Sequence, residues 1–401
     1  MALELTTAGE SHGRELIAVL SGVPAGLRLD REALDRELAR RQHGYGRGGR
    51  QKIERDAADV RAGLRDGVTL GSPLVVAIAN RDWENWARVM DPWAVDPEAA
   101  ARRRLTAPRP GHADLAGAWK FGHLDDLRNA LERASARETA ARVAAGAVCK
   151  QLLGRCGVAI RSGVLALGGK VLHDGPPNWA DLERVDDGSP FRSVAPEREA
   201  ALAASVDEAK HAGETLGGVV GVVARGVPPG LGSYARWDER LDGLLAQAVM
   251  AVQAVKAVAL GAGIEAAARP GSRAHDPILP GERGLRRGSN HAGGVEAGVS
   301  NGEEVVVRAF MKPISTLRDP LPSVDLATGA AARAAYERSD VTAVPACGVI
   351  VEAAVAFVLA RALLAKFGGD RIDDTLAALA AYRRRLGKLG PEGFVASPGT
   401  E

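Results

Sequence analysis

The fold class that the sequence predicts is α+β, with helices and strands arranged in layers. Segments with the alternating period of strands and the longer period of helices are interspersed along the chain. They do not follow the regular βαβα alternation of a doubly wound parallel sheet, and no internal repeat is present. The 401 residues are 46% hydrophobic and 25% charged, a composition typical of a globular protein with a substantial core.

Local patterns predict the elements in chain order. Short apolar runs that end at glycine or proline predict strands, and longer amphipathic or alanine-rich runs predict helices. Strands are expected at residues 3–7, 15–23, 68–80, 160–172, 215–232 and 304–311. Helices are expected at residues 31–41, where Asp30 is the N-cap, at 126–153, 196–213 and about 239–260, within 336–370, and from about 373 onwards.

Two stretches are expected to lack regular structure. Residues 81–115 and 269–302 predict long irregular loops, and the three tryptophans of the first are interpreted as local packing. Ser135 and Thr139 are unusual residues for the interior of the helix expected at 126–153. Residues 388–401 are expected to form a flexible C-terminal tail.

Charge and cysteine usage argue against several classes of protein. The 52 Lys and Arg against 50 Asp and Glu leave a formal charge of +2, without the strong basic excess of most nucleic-acid-binding proteins. The three cysteines form no CxxC pair, which argues against a disulfide framework and a zinc ribbon. The first residues carry charges where a signal peptide is apolar, and no run of about eighteen apolar residues follows. A cytoplasmic protein with no membrane segment and no metal is therefore expected.

The segment RRQHGYGRGGR (residues 40–50) concentrates arginine and glycine and predicts an anion site. Within it, GYGRGG matches the G-x-G-x-x-G pattern of dinucleotide sites, but a helix precedes the glycines where that fingerprint needs a strand. An RGG-type nucleic-acid site with Tyr45 as a stacking residue would bind weakly in a chain of balanced charge. A solvated basic loop and a site for a small polyanion remain as alternatives.

Further arginine, histidine and serine residues lie in predicted loops or at the ends of elements. Arginine forks bind phosphate and carboxylate groups bidentately, and histidines exchange protons near neutral pH. If these residues converge, a ligand with several negative charges is expected. They are His12, Arg109, His112, Arg133, Ser135, Arg137, Lys312, Arg338 and Asp340.

Taken together, these segments resemble the chorismate synthase family. The resemblance covers about residues 3–368 and rests on GESHGRELIAVLSGVPAG, RRQHGYGRGGR, RPGHADLAGAWKFG, ERASARETAARVAAGAV, GSRAHD, MKPISTL and RSDVTAVPACGVIVE, in the family's order. It implies a single domain over residues 1–387, a layered β-α-β sandwich, and a homotetramer. It also implies conversion of 5-enolpyruvylshikimate 3-phosphate to chorismate and phosphate by 1,4-anti elimination, a shikimate-pathway reaction that requires reduced FMN.

The resemblance also implies roles for individual residues. His12 is similar to the histidine that protonates the departing phosphate, His112 to the histidine beside the flavin's pyrimidine ring, and Asp340 to the acid that takes up the ring proton together with the flavin. The residues that match substrate-side arginines are Arg41, Arg47, Arg50, Arg109 and Arg137. The residues that match flavin contacts are Arg133, Ala134, Ser135, Gln253, Ala254, Ala297, Lys312, Pro313, Ile314, Ser315, Thr316 and Arg338.

Departures from the family pattern are few. Ser21 stands where the family usually has an acid, Ala297 where glycine is common, and His291 where asparagine is usual. No reductase domain is recognisable, so an external flavin reductase is expected, with NADPH acting only indirectly through flavin reduction. A nucleic-acid binder and a flavoprotein of another activity stay open as hypotheses, and salt-sensitive retention on RNA would favour the first.

Overall fold

The computed structural model describes residues 2–48, 55–281, 284–337 and 340–386. The predicted site residues Arg50 and Arg338 and the expected tail over residues 388–401 lie outside the described residues. The described strands are β1 (Glu4–Ala8), β2 (Glu15–Ser21), β3 (Asp59–Ala62), β4 (Leu64–Arg65), β5 (Val68–Thr69), β6 (Leu74–Ala79), β7 (Ala159–Leu167), β8 (Lys170–Val171), β9 (Gly218–Arg225), β10 (Val255–Leu260), β11 (Ile278–Gly281), β12 (Gly284–Arg287), β13 (Val295–Glu296), β14 (Val299–Ser300), β15 (Val305–Met311), β16 (Pro322–Val324) and β17 (Ala331–Arg333). The described α-helices are α1 (Arg31–Gln42), α2 (Trp83–Met90), α3 (Pro97–Arg103), α4 (Asp114–Phe121), α5 (Arg128–Ala134), α6 (Thr139–Arg155), α7 (Trp179–Glu183), α8 (Glu199–Ala212), α9 (Leu241–Met250), α10 (Ile264–Ala267), α11 (Gly271–Ala274), α12 (Val344–Phe367) and α13 (Ile372–Leu386).

Two antiparallel sheets form the outer layers of the fold. One sheet has the strand order β1-β2-β6-β3, and the other has the order β10-β15-β9-β7-β8. In β2 the side chains of Leu16, Ala18 and Leu20 are buried and alternate with more exposed ones, as in a sheet with one face on the core. Each large sheet therefore has an apolar face that other elements must cover.

Helices α6 and α12 fill the space between the two sheets. Helix α6 packs on β2 and β6 of the first sheet, α12 packs on β7 and β9 of the second, and the two helices pack on each other. Helix α1 contacts both of them from the side. This arrangement is a layered β-α-β sandwich, and the predicted fold class is confirmed.

Small residues allow α6 and α12 to approach closely. A Cβ atom added at Gly146 of α6 would lie 2.3 Å from the Cβ of Ala353 in α12. Since real Cβ atoms do not approach one another at that distance, glycine is required at this crossing. The alanine-rich composition of the region thus sets the thickness of the middle layer.

Helix α12 is, among the described residues, the one helix long and apolar enough to cross a membrane. Most of its residues are buried inside the protein, between α1, α6, α9 and the five-stranded sheet. A helix that is apolar all round is typical of a protein core when other elements surround it.

The prediction of irregular structure at residues 81–115 and 269–302 is wrong in part. Helices α2 and α3 lie in the first, and Asp96 caps α3 by accepting hydrogen bonds from two backbone N–H groups ahead of Pro97 at the first turn. The second contains helix α11 and the hairpins β11-β12 and β13-β14. Pro97 thus starts a helix inside a segment where an irregular loop is predicted.

Two predicted helices are shorter than expected. The helix expected at 126–153 is interrupted at Ser135, whose backbone is extended and whose Oγ accepts a hydrogen bond from the N–H of Arg137 in a short 3-10 turn. The helix expected at about 239–260 ends at Met250, because the following residues pair with β15 as strand β10. Sheet pairing outweighs the local helical preference there. The strand expected at 68–80 is likewise divided into β5 and β6.

Candidate active site

A cavity of about 450 Å³ lies where the loop after α1, the loop before α4, the break at Ser135, the loop after β15 and the start of α12 meet. Among its described lining residues are five cationic side chains and a single carboxylate, that of Asp340. Met311, Ile314 and Ile350 give it an apolar wall. The predicted site residues that line it are Arg41, Arg47, Arg109, His112, Ala134, Ser135, Arg137, Gln253, Ala254, Lys312, Ile314, Ser315, Thr316 and Asp340.

A few predicted site residues are not on the cavity wall. His12 is not one of the lining residues, but the neighbouring Ser11 hydrogen-bonds the lining residue Ser135, with 3.2 Å between their Oγ atoms. Arg133 donates to the carbonyl oxygen of Thr7, and Pro313 follows the lining residue Lys312. Ala297 lies in the turn between β13 and β14 with a left-handed φ of 49°, the region that favours glycine.

His12 is held by a buried carboxylate and an aromatic ring. Its Nδ1 lies 2.8 Å from Oε1 of Glu132, and its backbone N–H donates to Oε2 of the same group at 2.8 Å. Its ring stacks on Trp86 with 3.9 Å between centroids. Burial alone would raise the pKa of Glu132, but the hydrogen bonds from His12 and the charge of Arg128 lower it below its ordinary value.

Arg109, His112 and Asp114 form a second group of this kind. Asp114 accepts from Nε of Arg109 at 2.8 Å and lies 2.5 Å from Nδ1 of His112. Burial opposes the charge of Asp114, yet the hydrogen bonds from His112 and Arg109 hold the pKa of its carboxyl well below the usual range. Thr316 accepts a further hydrogen bond from Arg109 at 3.0 Å.

The three described arginines of RRQHGYGRGGR each meet a carboxylate. Arg40 pairs with the fully buried Glu352, Arg41 with Asp56 and Arg47 with Asp340. Tyr45 donates to Asp207 and packs against Phe191. The alternatives of a solvated loop and of a stacking platform for nucleic acid are not supported for the described part of this segment.

A family model described as "Chorismate synthase" matches residues 3–364 of the chain. The chain belongs to the chorismate synthase family. A chorismate synthase from Moorella thermoacetica is 53% identical over 388 residues, covering 96% of this chain and all of the relative, and one from Mycobacterium avium is 52% identical over 390 residues, covering 96% and 97%. A solved structure described as "Crystal Structure of Chorismate Synthase" matches with a TM-score of 0.78 and 40% identity, covering 97% of this chain and 99% of the other.

Membership of the chorismate synthase family confirms the resemblance predicted from the motifs. The chain is an enzyme of the shikimate pathway and of aromatic amino-acid biosynthesis, and its reaction class is that of a lyase. Chorismate synthases are flavin-dependent enzymes, so the residues of this cavity can be compared with the needs of a flavin.

The cavity has the chemical character that a flavin needs in a chorismate synthase. The buried Oε1 of Gln253 has no hydrogen-bond partner among the described residues and could accept from a ring N–H, while the apolar residues offer a surface for a flat ring. Lys312 and Ser315 both donate to the carbonyl oxygen of Gly111, which joins two walls of the cavity. No cluster of His, Cys, Asp and Glu in the described residues has the arrangement of a metal site.

Sequence reasoning missed the carboxylates behind the cavity of this chorismate synthase. Asp56, Asp114 and Glu132 are buried and pair with arginines and histidines that the motifs predict as site residues. Trp86 was interpreted as local packing, which misses its contact with His12. Asp114 and Glu132 lie inside or beside the motifs RPGHAD and ERASARE, so an acid close to a functional cation was the available signal.

Proposed function

We propose that this cavity binds 5-enolpyruvylshikimate 3-phosphate against reduced FMN and converts it to chorismate and phosphate by 1,4-anti elimination. The single observation that carries the proposal is the convergence, among the described lining residues, of five cationic side chains, His112 and one carboxylate on a cavity with an apolar wall. A substrate with a phosphate and two carboxylates loses its hydration when it enters such a site. Cations that pair with these groups are needed to offset that cost.

The substrate's anionic groups bind to Arg41, Arg47, Arg109 and Arg137, with Arg50 as a further ligand. Arg41 and Arg137 both donate to Oδ2 of Asp56, at 2.9 and 2.7 Å, which holds their guanidinium groups in place before the substrate arrives. Preorganised donors cost little rearrangement on binding. This pairing supports a role in recognition for both arginines.

Proton transfer falls to three residues. In the elimination the bond between carbon and the phosphate oxygen breaks, and a ring carbon gives up a proton. His12 donates a proton to the departing phosphate oxygen, so that a fully charged group is not released into a dry site. Asp340 receives the ring proton, and its carboxylate is held toward the cavity by Arg47 and by the backbone N–H of Gly48. His112 lines the cavity and would hold a proton next to the pyrimidine ring of a bound flavin.

The flavin is held by residues around Ser135, Gln253 and the loop Lys312 to Thr316, together with Ala134 and Ala254. Arg133, Ala297 and Arg338 are proposed as further contacts by resemblance. When bound, reduced FMN supplies electron density that eases the loss of phosphate. Lys312 and the hydroxyl groups of Ser315 and Thr316 provide donors for an anionic or dipolar group.

The proposal includes the cellular setting of the enzyme. It is a cytoplasmic homotetramer that receives reduced FMN from an external reductase, so NADPH acts only indirectly. Neither nucleic acid nor a membrane is a partner. Pure protein incubated with the substrate, NADPH and oxidised FMN is expected to form no chorismate, and turnover under these conditions would contradict the need for an external reductase.

An anaerobic assay with 5-enolpyruvylshikimate 3-phosphate and chemically reduced FMN tests the reaction. Wild-type protein is expected to release chorismate and phosphate in equal amounts. His12→Ala and His112→Ala are each expected to lower kcat by about 100-fold or more, because each removes a proton donor or acceptor. His211→Ala, on the surface helix α8, is the matched control and should keep wild-type activity. Flavin binding without product from the wild type would show that the assigned reaction is wrong.

A further inference from the structure

Each of the two proposed active-site histidines has its own buried carboxylate at Nδ1. Glu132 lies 2.8 Å from Nδ1 of His12, and Asp114 lies 2.5 Å from Nδ1 of His112. The two carboxylate residues are only 2% and 1% exposed. Each is also bound by an arginine, Arg128 for Glu132 and Arg109 for Asp114. The same arrangement thus occurs twice, once at the lining residue His112 and once at His12, whose neighbour Ser11 hydrogen-bonds the lining residue Ser135.

The arrangement determines which ring nitrogen carries a hydrogen. The pKa of both carboxyl groups lies below the ordinary value, since the histidines and arginines outweigh burial, so both groups are ionised at neutral pH. An ionised carboxylate only accepts hydrogen bonds. Nδ1 of each histidine must therefore be the donor to its carboxylate, and proton exchange with a ligand falls to Nε2, which in His112 also lies 3.3 Å from Nη2 of Arg109.

The ring plane of His12 is also set. Trp86 stacks on the ring with 27° between the two planes, and the guanidinium carbons of Arg103 and Arg128 lie 4.5 and 4.8 Å from the Trp86 ring. The backbone N–H of His12 donates to the other oxygen of Glu132. The main chain and Nδ1 of His12 are thus held by Glu132, and its ring face is held by Trp86.

We infer that Glu132 and Asp114 are positioning residues that keep His12 and His112 protonated at Nδ1 and assign proton exchange to Nε2. The inference rests on the proposed function for the roles of the two histidines. A buried carboxylate that orients an imidazole in this way fixes its tautomer and the direction of its ring. Neither acid touches the reacting atoms in this scheme.

The kinetic test compares Glu132→Gln with Glu337→Gln. Glu337 also pairs with Arg128, at 3.1 Å, whereas Nδ1 of His12 pairs with Glu132, so Glu337→Gln controls for loss of an arginine partner. A glutamine at 132 can donate to Nδ1 and favour the wrong tautomer, so kcat is expected to fall by at least about tenfold with KM within about threefold. Glu337→Gln should leave kcat within about threefold of wild type.

A double-mutant cycle separates positioning from general damage. Adding Glu132→Gln to His12→Ala should cause no further loss of single-turnover phosphate release, because the residue acts through the absent ring. A further loss as large as in the wild-type background, or a Glu132→Gln variant with the kcat of Glu337→Gln, overturns the inference. Full activity of His12→Ala instead overturns the proposed function.

Asp114→Asn tests the second pair in the same way, with His112→Ala as the background. Since Asp114 also holds Arg109, this variant is expected to raise KM as well as lower kcat. Neutron diffraction of the wild-type protein gives a readout independent of turnover. Deuterium on Nδ1 of both histidines and none on the two carboxylates is expected, and deuterium on either carboxylate or its absence from Nδ1 overturns the inference.

Discussion

Asp56 connects the two arginines that the proposed substrate must meet, Arg41 and Arg137. Burial lowers the pKa of Arg41 to about 10. The charge of Asp56 opposes this shift, and the positive charges of Arg137 and Arg47 add to it. Burial would raise the pKa of Asp56, but the two guanidinium groups lower it. The carboxylate therefore makes a dense cluster of positive charge possible at the cavity.

Asp56→Asn is expected to raise KM for 5-enolpyruvylshikimate 3-phosphate by at least about tenfold, because the amide no longer balances two adjacent guanidinium charges. Steady-state kinetics with reduced FMN measures the change. Asp59→Asn is the control, since Asp59 is exposed and pairs only with the exposed Arg61 in the described residues. Equal KM values for the two variants would show that Asp56 does not organise the substrate arginines.

At the scale of elements, the contact between α6 and α12 determines how the two sheets are held apart. Gly146 makes the close crossing possible, and Glu352 in the middle of apolar α12 accepts ion pairs from Arg40 of α1 and Lys150 of α6. The same α1 ends next to Arg41 and the loop that contains Arg47. The helix that packs against α6 and α12 thus leads directly into the proposed anion-binding loop.

Gly146→Ala is expected to lower the free energy of unfolding by about 1–3 kcal/mol or more, because the added Cβ overlaps Ala353 and forces the helices apart. Gly154→Ala in the same helix is the control, as a Cβ there has no neighbour within 4 Å. That exposed change should be neutral or stabilising by up to about 1 kcal/mol. Thermal or denaturant unfolding compares the two, and equal stabilities would contradict the packing described.

At the scale of the whole molecule, a set of buried carboxylates makes stability depend on pH. Their pKa values are held below the ordinary 3.8 for Asp and 4.5 for Glu by hydrogen bonds and ion pairs that outweigh burial. A group whose pKa is lower in the folded state stabilises the fold above its unfolded pKa, and this contribution is lost as the pH falls through the folded pKa. The groups are Asp56, Asp114, Glu132, Glu138 and Glu352.

The melting temperature is therefore expected to change little between about pH 7 and 5.5 and to fall steeply below about pH 4.5, where the unfolded chain begins to take up more protons than the folded one. Differential scanning calorimetry across this range measures it. Glu352→Gln should reduce the steepness of the fall, since one proton-binding site of the unfolded state is gone. A melting temperature at pH 3.5 equal to that at pH 7 would contradict the set of lowered pKa values.

The sequence by itself determined the family, the layered fold class and most of the cations around the cavity, because these depend on local signals. Arginine, histidine and glycine in fixed order mark the motifs, and Asp30 caps α1 through its own neighbours. Such signals need only residues that are adjacent in the chain.

The tertiary structure alone decided which residues meet. Gly48 and Asp340 are 292 residues apart in sequence and hydrogen-bonded in the fold. Asp56, Asp114 and Glu132 are partners that only the fold reveals. Burial makes an unpaired charge very costly, so each buried cation must have a carboxylate beside it. Strand β10 illustrates the same cost for the backbone. Its N–H and C=O groups form hydrogen bonds with β15, whereas in the predicted helix they would have bonded within the same segment. Local sequence patterns therefore predict elements and motifs, whereas the cost of burying unpaired polar groups determines which distant residues pair.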